Sequence, residues 1–278
     1  MSVQNFIPKL WSARLLANLD KSLVFKNFVN TDYEGEIQNL GDSVVINQFG
    51  DVTIKDYTGA DIDNPEEVTS ATQTLLIDQA LYYNYKVNDI DAAQANIELV
   101  DKAQERAAYA LGDKVDQKIA ALVTGAGTTV GTLLAPISIT KDNAYDKLVD
   151  LGVILDEKNI ARVGRKIVLP AWYLGLLSKD SRFTTNYKIL EDGVVEGAVV
   201  GGFQLYMSNN IVRDTTDTGI YKIPAGTNQA ISFAGQVVET EAYRPEKNFA
   251  DAVKGLYGYG LKVVEPKALI QFLVKQGA

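Results

Sequence analysis

One long helix dominates the hydrophobic pattern of this chain. Between residues 91 and 124, apolar side chains recur at steps of three and four, which places them on one face of an α-helix. They are Ile97, Val100, Ala103, Ala107, Leu111, Val115, Ile119 and Leu122. Asp91 suits the N-cap, and Gly125 suits the position after the last turn. At ~1.5 Å per residue this helix spans ~48 Å, about the diameter of a compact globule of this size. We therefore predict a strut that supports the rest of the chain, although a long core helix of an ordinary domain has the same pattern.

Two long alternating segments precede this helix. Apolar and polar residues alternate over residues 43–58 and again over residues 70–89, as expected of β-strands. Residues 59–67, GADIDNPEE, form an acidic turn between them. Two strands of about fifteen residues exceed the usual length of about 5–6. We predict a long hairpin that projects towards a neighbouring subunit; the alternative is a twisted strand pair inside a sandwich.

The N-terminal segment has the pattern of a short amphipathic helix. Pro8 can start a helix, and residues 9–24 carry Trp11 and several leucines at helical spacing. Terminal segments are poorly ordered unless they are tied down. An apolar face on such an arm therefore predicts that another surface covers it.

The remaining chain divides into a middle α/β segment and a strand-rich end. Residues 138–228 contain helix patterns around a buried-type strand, RKIVL at residues 165–169. Residues 230–242 and 253–264, and the segment after Pro266, have strand character. We expect this end to pair near the long helix, so that residues 89–135 and 229–278 form one discontinuous domain.

The amino-acid composition excludes several common types of enzyme catalysis. The 278 residues include no histidine and no cysteine, which excludes Ser-His-Asp and Cys-His catalysis and makes zinc binding unexpected. No run of 18 apolar residues indicates a membrane span, and the N-terminus lacks a signal-peptide pattern. These features predict a protein that is made and assembled in the cytoplasm.

Charge is unevenly distributed. The net charge of −8 disfavours general affinity for nucleic acid. Residues 1–30 carry four basic side chains and one acidic one, a net of +3. Residues 31–67 carry ten acidic side chains and one basic one, a net of −9. Two solvated segments are the simple interpretation; the sharper one is that the acidic segment of one copy meets the basic segment of another.

The candidate chemical sites are weak. Glu239 and Glu241 lie on one face of a predicted strand, where paired carboxylates can act as acid and base, but a solvated or salt-bridged pair is the commoner case. Asp61, Asp63 and Glu66 lack the glycine and final glutamate of a calcium loop. Gly125 begins a GxGxxxG run that follows a helix, unlike a dinucleotide fingerprint. We predict no catalytic residue, no cofactor and no metal site.

The order of these parts resembles the major capsid protein of tailed bacteriophages, the Hong Kong 97 fold. The resemblance is carried by PKLWSARLLANLDKSLVFKNFVNTDYEGEIQNLGDSVVI at residues 8–46, by DIDAAQANIELVDKAQERAAYALGDKVDQKIAALV in the long helix and by VKGLYGYGLKVVEPKAL at residues 253–269. It spans nearly the whole chain. It implies an α+β capsid fold with an N-arm, an extended β-hairpin loop, a long spine helix, and peripheral and axial domains.

The resemblance also implies domain boundaries, which we list as expectations. They are an N-terminal arm at residues 1–30, an extended loop with its base at 31–88, a peripheral domain at 89–135 and 229–278, and an axial domain at 136–228. Subunits of the family form hexamers and pentamers of an icosahedral shell that encloses double-stranded DNA without specific binding. Because this chain starts directly at the arm, we expect a separate scaffolding protein, together with a portal. The expected location is the virion capsid, assembled in the host bacterial cytoplasm.

The expected contacts between subunits follow the charge pattern. We predict that the acidic loop docks on basic residues of a neighbour or on its arm. The residues proposed for these contacts are Trp11, Arg14, Asp56, Asp61, Asp63, Glu66, Arg162, Arg165 and Lys166. Two alternatives remain open from sequence: an encapsulin-type compartment that holds cargo enzymes, and a soluble carboxylate-dependent enzyme. A structural protein of a tail tube is a weaker option.

Overall fold

The computed structural model describes residues 24–34, 41–49, 54, 70–88, 98–180, 199–217, 219–246 and 250–277. In these ranges the helices are α1 (Glu98–Ala121), α2 (Ala144–Glu157) and α3 (Ala171–Ser178). The first strands are β1 (Ser43–Phe49), β2 (Ser70–Leu76), β3 (Gln79–Asn88), β4 (Thr128–Val130), β5 (Ile137–Ile139) and β6 (Arg165–Leu169). The later strands are β7 (Val199–Val200), β8 (Phe203–Met207), β9 (Ile220–Thr227), β10 (Ile231–Tyr243), β11 (Ala250–Val263) and β12 (Leu269–Gln276).

The long helix is present, and its predicted apolar face is buried. Leu111, Val115 and Ile119 are at most 5% exposed, so the spacing of apolar residues identified the side of α1 that faces the core. The helix tolerates Gly112 and ends at Ala121, where a 3-10 turn continues to Gly125. Its 24 residues span ~36 Å. The predicted first turn, residues 91–97, lies outside the described residues.

A seven-stranded mixed sheet holds most of the core. The strand order is β4, β12, β9, β6, β8 and β7, with β5 also pairing along β12. In β6, Ile167, Val168 and Leu169 have no exposed surface, as expected of a strand that is covered on both faces. Pro170 occupies the N-cap position of α3, and α2 packs against α3.

The last strand connects two of the predicted domains. β12 lies between β9 on one side and β4 and β5 on the other, so it belongs to the sheet of the middle segment. β12 therefore joins the predicted peripheral domain, through β4, to the predicted axial domain, through β5 and β9. The pairing is tight, because a Cβ at Gly226 would lie 2.1 Å from the carbonyl oxygen of Ala268. Sequence patterns do not reveal such long-range partners.

The base of the predicted hairpin is present in the described residues. β1 pairs antiparallel with β2 over seven residues, from Ser43 opposite Leu76 to Phe49 opposite Ser70. The returning segment then leaves this pair at Ile77, and β3 pairs with β11 instead. The prediction of one uninterrupted return strand is therefore wrong. The acidic tip, residues 55–67, lies outside the described residues.

A three-stranded antiparallel sheet completes the described architecture, in the order β10, β11, β3. Its register shifts between Val237 and Glu239, which marks a β-bulge in the long β10–β11 pair. Tyr257 and Tyr259 stack with ring centroids 6.1 Å apart and are nearly fully buried. Within the described residues, no helix has both the length and the apolar character needed to cross a membrane.

Gly175 offers a stabilising substitution. It lies inside α3, and a Cβ built there meets no atom within 4 Å. Alanine restricts the unfolded chain and favours the helix, so we expect Gly175→Ala to raise the free energy of unfolding by about 0.5–1 kcal/mol. Urea denaturation checks this value. A loss of stability would contradict the open surroundings of this position.

Candidate assembly surfaces

The residues predicted to contact neighbouring subunits fall into two groups. The structure describes Arg162, Arg165 and Lys166, which lie at or just before the start of β6. The predicted residues of the arm and the acidic loop lie outside the described residues: Trp11, Arg14, Asp56, Asp61, Asp63 and Glu66. The proposed pairing of loop with basic residues therefore stays a prediction for that group.

Arg165 is enclosed by its own chain. Its side chain is 2% exposed, and Nη2 donates to the Asp156 carboxylate at 2.7 Å. The same guanidinium donates to the carbonyl oxygens of Gly152 and Ala161 at 3.0 Å, and to that of Ile160. These bonds join the end of α2, the following loop and β6. The prediction that Arg165 meets an acidic loop of another subunit is therefore wrong, because its donors are used inside one copy.

Arg162 remains accessible, although it binds the same carboxylate. Its side chain is 80% exposed and makes two hydrogen bonds to Asp156, at 2.7 and 3.1 Å. These bonds, with those from Arg165, hold the pKa of Asp156 below its ordinary value. Lys166 donates to the carbonyl oxygen of Asn27, and partial burial lowers the pKa of its ammonium group. Arg162 is thus the most exposed of the three, and Lys166 is half-buried.

The base of the N-terminal arm is anchored on α1. Phe25 and Phe28 are buried in the main core, and Val29 is 5% exposed. The chain then pairs with the start of β10, because the Asn30 amide donates to Ile231 at 2.8 Å and the Phe233 amide donates to Asn30 at 2.9 Å. The predicted boundary of the arm at residue 30 therefore falls inside a packed segment.

A buried carboxylate on α1 holds this segment. Asp116 is 2% exposed and accepts the backbone amides of Phe25 at 3.2 Å and Val24 at 3.4 Å. Burial raises the pKa of Asp116 to about 6, the charge of Asp113 adds to the rise, and the two amides and Asn210 oppose it. Sequence reasoning missed this anchor. The only signal was one acidic residue beside the apolar stripe of the helix.

The Asp116 anchor predicts a pH dependence of stability. The folded pKa of about 6 lies above the ordinary carboxyl pKa of 3.8, so the folded state binds more protons than the unfolded state between these values. The contribution of Asp116 to the free energy of unfolding therefore falls as pH rises from 4 to 6. We expect Asp116→Asn, which stays neutral, to remove this part of the slope. Denaturation of both proteins between pH 4 and 7 measures it, and parallel curves would contradict it.

The base of the β1–β2 hairpin docks on the three-stranded sheet. Its buried face forms a small second core of Val44, Ile46, Leu75, Ile77, Ala234 and Val264, with Tyr33 packed against it. β11 approaches closely, because a Cβ at Gly260 would lie 2.3 Å from the carbonyl oxygen of Leu76. The opposite face carries Val45 and Leu76, which are 54% and 48% exposed. This hairpin base is therefore fixed on one side and open on the other.

The two glutamates considered for catalysis lie on the open face of the three-stranded sheet. Glu239 and Glu241 line a groove of about 260 Å³ with Tyr82 and Lys254. Lys254 forms an ion pair with Glu241 at 2.7 Å, and this carboxylate raises the pKa of the ammonium group. The arrangement is a salt-bridged surface. Within the described residues, no group of three acidic side chains is placed to hold a metal ion.

Similarity to known proteins identifies the class of this fold. The model of the phage capsid protein family matches residues 78–272, which include the long helix α1, the three-stranded sheet and all of the seven-stranded sheet except the end of β12. The chain belongs to this phage capsid protein family, and its function is that of a major capsid protein, as the sequence predicted. Curated protein sequences include no significant match.

Solved structures agree with this assignment. A chain from Mycobacterium phage Che8 is 26% identical, with a TM-score of 0.73, and the match covers 98% of this chain and 94% of that one. The capsid of cyanophage P-SCSP1u shares the fold at 15% identity and a TM-score of 0.68, over 90% of this chain and 86% of that one. A virus-like particle from Pyrococcus furiosus shares it at 13% identity and a TM-score of 0.60, over 97% and 100%.

Proposed function

We propose that this protein forms the icosahedral shell of a tailed phage, as hexamers and pentamers, around a double-stranded DNA genome. The capsid family match over residues 78–272 carries this proposal, because it includes the strands and helix that build the fold. The open faces of the hairpin base and of the three-stranded sheet are surfaces that neighbouring copies can cover. A net charge of −8 suits a shell that encloses DNA without binding it tightly, because like charges repel.

The proposal includes partners and a place of assembly. We infer a separate scaffolding protein and a portal, and assembly in the host cytoplasm. The acidic loop around Asp61 and Asp63 would dock on a basic surface of a neighbour. Arg162 is available for this contact, and Trp11 and Arg14 of the arm are the other proposed participants. We also propose that the chain divides into the arm, the extended loop, the peripheral domain and the axial domain that the resemblance implies.

The first experiment is the mass and shape of the purified full chain, by light scattering and negative-stain microscopy. Closed shells, or rings of five and six copies, support the proposal. Nuclease-protected DNA inside particles from infected cells indicates a genome container, whereas enclosed protein would favour an encapsulin-type compartment. A stable monomer at high concentration, also in the presence of the other virion proteins, would overturn the proposal.

Charge reversal tests the proposed loop contact. We expect Asp61→Lys with Asp63→Lys to reduce particle yield, because like charges would then face each other across the contact. Glu105→Lys is the matched control, since Glu105 is an exposed acid on α1 outside the loop. Quantitative sedimentation of assembled particles gives the yield. An unchanged yield of the loop variant would count against the contact.

A further inference from the structure

The seven-stranded sheet presents exposed apolar side chains at both of its edges. At the β7 edge, Val199 is 73% exposed. The neighbouring helix α2 adds Val149 and Val153, one turn apart and 37% and 49% exposed. The turn after β7 lies directly on this helix, because a Cβ at Gly201 would be 3.2 Å from the backbone nitrogen of Val149. We name Val149, Val153 and Val199 the valine edge.

The opposite edge carries two leucines on a well-defined turn. Between β4 and β5, Leu134 is 100% exposed and Leu133 is 49% exposed. The turn is held by the Thr132 amide, which donates to the Ala135 carbonyl at 3.2 Å, and by the Ala135 amide, which donates to the Thr132 hydroxyl at 3.0 Å. β4 and β5 both pair with β12, so this turn is attached to the core sheet. We name Leu133 and Leu134 the leucine turn.

We propose that the leucine turn of one copy docks on the valine edge of the next copy in a capsomer ring. A contact between two different surfaces, at opposite edges of one sheet, is head-to-tail, and head-to-tail contacts form a ring when the rotation from copy to copy closes. Self-pairing of either surface would give twofold dimers instead. Rings of five and six copies need the same two surfaces with a small change in rotation, so one contact serves both. This inference rests on the proposed ring assembly.

The chemistry of the two edges suits this contact. Aliphatic side chains on a rigid turn and on one helix face lose water-exposed apolar area when they meet. The turn needs little ordering on binding, because its own hydrogen bonds already hold it. Asp146 and Asp150 are exposed acids on α2 near the valine edge, Asp150 forms an ion pair with Lys147 at 2.7 Å, and residues 131–136 of the leucine turn carry no charge. Like-charge repulsion therefore does not oppose the contact.

The test uses complementary charges in the full chain, under conditions in which the unchanged protein forms particles. We expect Leu134→Glu alone and Val153→Lys alone each to lower the assembled fraction about tenfold or more, since each places one unpaired charge in an apolar contact. The chain that carries both substitutions should recover assembly, and high salt should weaken the recovered contact. Tyr109→Glu is the matched control, because Tyr109 is 67% exposed but lies on α1, outside both edges of the sheet.

Each outcome decides the inference. Loss with either single substitution and recovery with both supports it. Normal assembly of Leu134→Glu or Val153→Lys overturns it while the proposed function stands. Loss without recovery shows that the two edges meet different partners, a scaffolding protein among them, and also overturns it. If the unchanged chain forms no particles or rings in any condition, the proposed function fails instead. Circular dichroism of the disassembled variants confirms that they are folded.

Discussion

Replacement of Arg165 by alanine should destabilise the fold by about 1–3 kcal/mol, because it leaves buried backbone carbonyl oxygens without their donor. The guanidinium is 2% exposed and bonds Asp156, Gly152, Ile160 and Ala161. Without it, three carbonyl groups near the end of α2 lose their donor, and the connection from α2 to β6 loosens. Chemical denaturation of the disassembled chain measures this loss.

Arg162→Ala is the matched control, because Arg162 binds the same Asp156 carboxylate from an 80% exposed position. Exposed ion pairs contribute little to stability, so the denaturation midpoint should stay close to that of the unchanged protein. If Arg162 takes part in contacts between subunits, this variant instead loses particle yield. Equal destabilisation by the two substitutions would contradict the distinction between an internal and a surface arginine.

Substitution of Gly260 by alanine should detach the hairpin base from the three-stranded sheet. A Cβ at this position would lie 2.3 Å from the Leu76 carbonyl oxygen and 2.7 Å from Cδ1 of Ile77. The backbone contact cannot yield without moving β2, so we expect a loss of about 1–3 kcal/mol. The small core under the hairpin should open, and particle yield should fall because the loop is no longer held in one direction.

Hydrogen exchange locates this effect. In Gly260→Ala, the amides of β1 and β2 should exchange faster, whereas those of β6 and β9 in the other sheet should keep their protection. Gly175→Ala serves as the control for a glycine that has no neighbour to displace. Uniform loss of protection across both sheets, or unchanged protection of β1 and β2, would contradict a local role for Gly260.

Local patterns predicted the elements and their buried faces well. The steps of three and four residues identified the buried side of α1, and Leu111, Val115 and Ile119 confirm it. Alternation identified the inward residues of β1 and β2, such as Val44 and Leu75, which are at most 6% exposed. These predictions succeed because side-chain direction follows from the period of the backbone, and burial follows from side-chain direction.

The same alternation could not predict the partners of the strands. Apolar residues fall at every second position in β2 and continue in the same alternation in β3, for example at Leu75, Ile77, Leu81 and Tyr83. The alternation is therefore not interrupted where the chain leaves one sheet and enters the other. Partners also lie far apart in sequence: β3 pairs with β11, and β12 pairs with β9 and with β4. Hydrogen bonds between strands join backbone groups that every sequence has, so periodicity carries no information about them.

Burial of charge was likewise decided by the tertiary structure. Arg162 and Arg165 are three residues apart and equally basic, yet one is on the surface and the other is enclosed by carbonyl oxygens. Asp116 gave no sign in sequence of its contact with Phe25, since its partners are backbone amides 91 and 92 residues away. Backbone donors and acceptors become partners only when packing brings them together.

Composition and local patterns were enough to exclude histidine and cysteine chemistry and to predict the long helix, the alternating strands and the capsid family of this chain. The partners of the strands, the internal position of Arg165 and the apolar side chains exposed at the two edges of the core sheet became evident in the fold alone. Those properties depend on contacts between residues distant in sequence, which side-chain type and spacing do not specify.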